Sequence, residues 1–475
     1  MRSPSGGLVL ALDQGGQSSR ACVFDARGEI VAQASVPVAE SRPAPERVEQ
    51  DPEELVASLR RAGEEALAAL GSRAAEVGAC GLATQRSSLV AWDRTDGRAL
   101  SPVLSWQDRR AAQALVRLEP FAREIERRSG LRLSPHYGAS KLAWMLEHLE
   151  PVREARKARA LAAGPLASFL AFRLLEERPF VADAANATRT LLFGLELLGW
   201  DPWLLERFAI PREVLPDCAM TRADFGTFVC GGRRLPLRVL TGDQAAALFA
   251  SGAPRADELR ANLGTGAFAA RPCPEGLRVE GLLTSLVRLE QGLPEFVLEG
   301  TVNGAASALA ELGLPDPVAA FERGLASERG LPLFLNGVSG LGAPFWRPDF
   351  RTRFVGEGTP DECAAAVVES VLFLLLEIER AMRPALGVPR ALCVSGGLAR
   401  SDALCQRLAD AGRLEVERAS ETEASARGLA RLVRGADFEG LAPLAGRFEP
   451  RTDDELLRRH ARWRTALGTA LRERP

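Results

Sequence analysis

Short apolar runs ended by glycine-rich polar turns recur along this chain, and they predict buried strands interleaved with helices. Gly7–Asp13 (GLVLALD) predicts a buried strand, Gln14–Ser19 a turn of small polar residues, Arg20–Asp25 a second strand and Glu29–Val36 a third. Three strands joined by short turns make a meander. Much later, Glu258–Leu263 leads into Gly264-Thr265-Gly266 and leaves through Ala267–Ala270, again strand, glycine-rich turn, strand. The two loops differ in sequence, but the repeated arrangement predicts one structural device used once in each half.

Between these points the punctuation is clear. Asp51 before Pro52 marks an N-cap and first helical residue, so a helix is expected to about Leu70. Val77–Thr84 predicts a strand that delivers Gln85-Arg86-Ser87-Ser88 at its polar end. Ser105–Arg110 precedes a helix, and Trp106 there is expected either in the core or as a wall of a polar pocket. Lys141–His148 is helical, with Ser134-Pro135-His136-Tyr137 ahead of it, and Trp200-Asp201-Pro202 opens another helix. Arg238–Thr241 predicts a strand broken by Gly242 and Asp243, with a helix over Gln244–Ser251 stopping at Gly252. Asp243 therefore belongs at a strand-to-helix corner, at or near an N-cap. Further helices are expected over Gly300–Gly313, Pro360–Leu386, from Ser401, over Ser420–Gly435 and after Asp453. Cys393–Leu398 reads as a strand entering the Gly396-Gly397 pair, whose lack of bulk lets a flat ligand approach the backbone.

An aspartate at a helix start is often only a cap, and a lone Gly-Thr-Gly turn is often only a hairpin. A carboxylate beside a turn whose backbone N–H groups are exposed is also the minimum equipment for moving a phosphoryl group onto a hydroxyl. The second glycine turn near the N-terminus raises the weight of that reading.

Composition narrows the class. A chain of 475 residues with 46% hydrophobic content has material for two domains of about 200 residues each. The formal net charge of −2 gives no pull toward nucleic acid or anionic membrane. Positive charge is carried by arginine, since Lys141 and Lys157 are the only lysines. Eight cysteines without a CxxC pair fit reduced thiols, and structural zinc is not expected. Near Arg2 the apolar run Leu8–Leu12 stops at Asp13, too short for a signal peptide, and Ala364–Leu376 is interrupted by Glu369. A cytoplasmic chain without a membrane span is expected.

Asp13-Gln14-Gly15, Gln85-Arg86, Trp106–Arg110, Gly242-Asp243-Gln244, Gly264-Thr265-Gly266, Gly340–Pro344 and Gly396-Gly397 occur in this order. As an ordered set, over about residues 7–435, they resemble the FGGY carbohydrate kinases, in particular the glycerol-phosphorylating branch. The resemblance implies an α/β fold of two actin-like (ribonuclease H-like) ATPase domains, each a five-stranded mixed sheet with helices and a nucleotide cleft between them. The division is expected at 1–237 and 238–475. It further implies ATP and Mg2+ as cofactors and a small polyol or sugar as substrate, and it is compatible with a homodimer. Under it, Asp243 is the catalytic base and Asp13 lies at the magnesium. Gly15, Gly16, Gln17 and Arg20 form the first phosphate loop, and Gly264, Thr265 and Gly266 the second. Gly396 and Gly397 form the adenosine loop, and Ser401 takes the position of an adenine-contacting asparagine. Arg86, Ser87, Trp106, His136, Asp243, Gln244 and Phe268 line the acceptor pocket. A P-loop kinase is excluded, because no GxxxxGK[ST] is present.

Some positions depart from that pattern. Ser87 stands where glutamate is usual, His136 where tyrosine is usual unless Tyr137 takes the place by a one-residue shift, and Gly16-Gln17 where two threonines are usual. Ser395 replaces an aspartate before the double glycine, and Ser401 an asparagine. The resemblance still favours glycerol as the acceptor, and Ser87 and His136 favour the alternative of another polyol or a ketose. A non-catalytic actin-like regulator is the competing class, and Asp13, Asp243 and Thr265 together argue against it.

Overall fold

The computed structural model describes residues 7–327, 330–420, 423–440 and 444–473. Two mixed sheets organise it. The first has six strands in the order Arg222–Cys230, Arg233–Gly242, Val77–Thr84, Leu8–Gln14, Ser18–Phe24 and Ile30–Pro37. Its central strands Arg233–Gly242, Val77–Thr84 and Leu8–Gln14 run parallel, while Leu8–Gln14, Ser18–Phe24 and Ile30–Pro37 form the antiparallel meander. The second sheet has seven strands, ordered Leu283–Glu290, Leu293–Val302, Ala267–Cys273, Glu258–Leu263, Ala391–Ser395, Glu415–Ala419 and Leu444–Phe448. Here too a meander (Glu258–Leu263, Ala267–Cys273, Leu293–Val302) is followed by parallel strands at Ala391–Ser395 and Glu415–Ala419. The device read twice from the sequence is a shared topology. The five strands expected per sheet are present in each, and antiparallel neighbours extend their edges: Arg222–Cys230 in the first, Leu283–Glu290 and Leu444–Phe448 in the second.

A smaller five-stranded sheet (Ser41–Ala44, Arg47–Gln50, Val103–Leu104, Leu89–Asp93, Leu161–Pro165) flanks the first and carries the loops at 85–88 and 105–110. Local signals set most boundaries. Asp51 accepts from Glu53 N at 2.8 Å and starts the helix Pro52–Ala69. Thr359 and Glu362 form a reciprocal capping box for the 27-residue helix Pro360–Leu386, which lies along the second sheet's core.

Three expectations are corrected. The division at 237/238 cuts the strand Arg233–Gly242, which continues in the first sheet to Gly242. The helix Ala424–Arg434 also returns to that sheet, where Leu429, Ala430 and Val433 share a core with Val9, Ala11 and Val239. Close approach needs glycine there: a Cβ on Gly428 would lie 1.8 Å from Ala246 O. Of the helix expected over Ser420–Gly435, residues 421–422 lie outside the described residues, as does Arg2. The helix expected over Gly300–Gly313 is a strand as far as Val302, then a single helical turn and a half at Ala306–Ala310. Residues 293–302 are paired on both sides, and that sheet pairing overrides the alanine-rich composition. Likewise the helix after Asp243 ends at Ala247, short of Gly252.

Candidate active site

In the first sheet, strand register does the gathering. Gln14 and Gly242 both stand opposite Thr84, so three parallel strands end level with one another. Asp13, Gln85-Arg86 and Asp243 consequently meet at the carboxyl edge, where open α/β sheets present their ligand crevices. In the second sheet Asn262 pairs with Ser395, which sets Gly264–Gly266 beside Gly396-Gly397 in the same way.

Asp243 is the first residue of its short helix, and Gly242, not Asp243, is the N-cap. Asp243 Oδ1 accepts from Gln244 N at 2.6 Å. Burial raises its pKa above the usual carboxylate value, with Arg86 and Arg189 opposing. Asp13 is 7% exposed, and its carboxyl is pushed up to about 7 by burial first and by the Asp243 charge second, against Arg20. Among the described residues Asp13 Oδ1 has no hydrogen-bond partner. A buried, orphaned carboxylate oxygen next to a second carboxylate fits a hard divalent cation, whose charge would relieve both.

The first glycine-rich loop, at 15–20, is braced from below. Gly15 N donates to Ser18 O at 3.0 Å, and Gln50 Nε2 donates to Gly16 O at 2.9 Å. Gln85 Nε2 donates to Gln50 Oε1 at 2.6 Å, Ser88 Oγ to Gln85 Oε1 at 3.2 Å, and Trp106 N to Ser88 Oγ at 3.1 Å. One polar chain thus ties that loop to the segments bearing Arg86 and Trp106. Gln17 is exposed at the loop tip, and Arg20 pairs with Glu423 at 3.1 Å. In the second loop, Gly264 N closes on Gly266 O at 3.0 Å, and Thr265 O accepts from Ala305 N and Ser307 Oγ, leaving the Thr265 side of the turn exposed.

Gly396 has φ +95°, and a Cβ there would lie 2.7 Å from Leu263 O, so the double-glycine loop packs directly on the strand entering the Gly264-Thr265-Gly266 turn. Gly397 faces open space. On either side of it lie cavities of about 360 Å³ each, one bounded by Asn262, Ser395 and Arg418, the other by Phe321, Glu322, Val368 and Leu404. Ser401 borders the second, but it caps the helix Asp402–Gly412 and donates to Glu322 Oε1 at 2.8 Å.

Arg86, Gln244, Phe268 and Glu299 line a common cavity, whose lining does not include Asp243, Trp106 or His136. Trp106 is 38% exposed and therefore not in the core, with its ring 5.6 Å from that of His136. His136 is half-buried, while Tyr137 is 4% exposed and packs beneath Arg189. Burial, then Lys141 and nearby arginines, holds His136 well below its ordinary pKa, so it is neutral. Ser87 does not join the cavity of Arg86: its side chain is buried at φ +65°, with Oγ lacking a partner among the described residues.

Sequence reasoning missed three side chains. Lys141 is fully buried and donates to Ser87 O at 2.9 Å and His136 O at 2.8 Å, bridging the two loops. Its rarity as one of two lysines was a signal. Glu299 and Arg189 form a buried ion pair, and a carboxylate inside the apolar run Phe296–Val302 marked Glu299.

This fold and cleft define a two-domain phosphotransferase of the sugar-kinase type. The chain belongs to the FGGY family of carbohydrate kinases: the family's N-terminal domain matches residues 8–249 and its C-terminal domain residues 259–433. It is 37% identical to the glycerol kinase of Methylobacterium nodulans, covering 98% of each chain, and 37% identical to that of Thermus brockianus, covering 97% of this chain and 98% of the relative. Its fold matches that of Plasmodium falciparum glycerol kinase with ADP (TM-score 0.89, 22% identity, 99% of each chain). A ligand-bound xylulose kinase from Lactobacillus acidophilus matches at TM-score 0.84 and 20% identity, over 97% of this chain and 98% of that one. The protein is an ATP- and magnesium-dependent kinase that phosphorylates a hydroxyl of a polyol or sugar. No described helix is long and apolar enough to cross a membrane.

Proposed function

We propose that the acceptor is a small linear polyol and that Asp243 removes the proton from its attacking hydroxyl. The observation carrying this reading is that Asp243 and Asp13 stand together at the level ends of parallel strands, beside Arg86. Burial makes Asp243 a stronger base than a surface carboxylate, and general-base assistance contributes about 10²–10⁴-fold. Arg86, Gln244, Trp106, His136 and Phe268 would hold the acceptor, and Gly15–Arg20 with Gly264–Gly266 the phosphates. Asp13 would hold the magnesium, which offsets charge on the transferring phosphoryl group. Gly396 and Gly397 would take the nucleoside.

Glycerol is the first acceptor to consider, because the relatives named above are glycerol kinases. A second reading, a four- or five-carbon polyol or ketose, is favoured by Ser87: a short neutral side chain offers no charge to substrate hydroxyls. Coupled detection of ADP release across a panel of glycerol, tetritols, pentitols and ketopentoses decides between them. Absence of turnover with every member would overturn the polyol reading. We also propose a cytoplasmic homodimer, tested by fractionation and sedimentation, without nucleic-acid or membrane partners, the latter supported by the near-neutral charge.

A further inference from the structure

We propose that Glu299, from the second sheet, is the positioning residue for Arg86 of the first, so that the acceptor pocket is completed across the domain junction. This rests on Arg86 being an acceptor-binding arginine of the polyol kinase described above. Arg86 Nη1 donates to Glu299 Oε1 at 3.1 Å, and Arg189 Nη1 donates to Glu299 Oε2 at 2.9 Å and to Ser285 Oγ at 2.9 Å. The three side chains are no more than 10% exposed. Each carboxylate oxygen holds one guanidinium, which is a fixed geometry and not a loose attraction.

Arg86 has little freedom elsewhere. Its stem lies flat on Gly242: a Cβ at that position would come within 2.6 Å of Arg86 Cγ and 2.8 Å of Cδ. The stem is thus set by the residue before Asp243, and the head by Glu299, in the cavity that Gln244 and Phe268 also line. Burial alone would raise the Glu299 carboxyl, but Arg86 and Arg189 hold it down to about 2, so it stays ionised. Without that charge two buried guanidinium groups would face one another, and Arg86 would swing from the position at which it meets an acceptor hydroxyl.

The test is a double-mutant cycle with Arg86→Met, Glu299→Gln and the pair, using glycerol and erythritol as acceptors and circular dichroism to verify folding. Glu299→Gln is expected to raise the acceptor KM by about tenfold or more while the ATP KM stays within about twofold. In the Arg86→Met background the same change should shift the acceptor KM by less than about twofold, since its target is gone. Effects that multiply, or an ATP KM that rises in step, would overturn the positioning role. Where Glu299→Gln does not fold, Ser285→Ala loosens Arg189 without removing charge; it should raise the acceptor KM selectively, and an unchanged acceptor KM counts against the proposal. Wild-type enzyme inactive with every acceptor would overturn the polyol reading and this one together, whereas an active wild type with additive variants overturns this one alone.

Discussion

The Asp243 carboxylate lies close enough to Asp13 that its charge, together with burial, lifts the Asp13 carboxyl to about 7. Two acidic groups are held together here at a cost to their ionised forms, an arrangement that a bound divalent cation would relieve.

Asp243→Asn is expected to keep the fold, because asparagine retains a side-chain oxygen that can accept from Gln244 N. Nucleotide binding should persist, while kcat falls by about 10²–10⁴-fold. Steady-state turnover of the purified variant, alongside equilibrium binding of ADP, checks this; turnover near the wild-type value would remove Asp243 from the role of base.

Asp13→Ala should lose activity in a way that depends on magnesium. Its Oδ1, without a hydrogen-bond partner among the described residues, offers the metal an oxygen, and removing it should move the magnesium titration of kcat/KM to higher concentrations. A titration curve of unchanged midpoint, scaled down uniformly, would rule that role out.

Ser87→Glu adds a carboxylate where the serine hydroxyl makes no bond to described residues. If its oxygens reach the acceptor, kcat/KM for glycerol relative to a five-carbon polyol should improve by about 1–3 kcal/mol, from charge-assisted bonds to hydroxyls. Efficient glycerol turnover by the wild type, unaltered in the variant, would show that Ser87 faces away from the acceptor.

Lys141 provides a pH test of stability. Burial lowers its pKa from 10.5 to about 7, against the pull of Asp108. Between those values the unfolded chain binds the extra proton, so the wild type gains stability as pH rises from about 7 toward 10.5, and below about 7 the penalty is constant. Urea unfolding of wild type and Lys141→Met at pH 6.5 and pH 9.5 should therefore show the wild type improving relative to the variant at the higher pH. A pH-independent difference would mean that Lys141 keeps its charge across the range.

Much of this molecule was determined by local sequence. Asp51-Pro52 and Thr359-Pro360 fix helix starts because a cap and a preset φ act within one turn. The strand Glu258–Leu263 and its glycine turn were legible for the same reason, as were Asp13 and Asp243 at strand ends. What the chain could not declare locally is whatever depends on pairing between distant segments. Gly300 continues a strand because Ala267–Cys273 lies alongside it, the helix Ala424–Arg434 returns to the first sheet because that sheet's apolar face must be covered, and Glu299 becomes the partner of Arg86 and Arg189 only once two sheets meet. A side chain's periodicity reports which face it occupies, but the charge it will neutralise belongs to another part of the chain, and only the folded contact brings the two together.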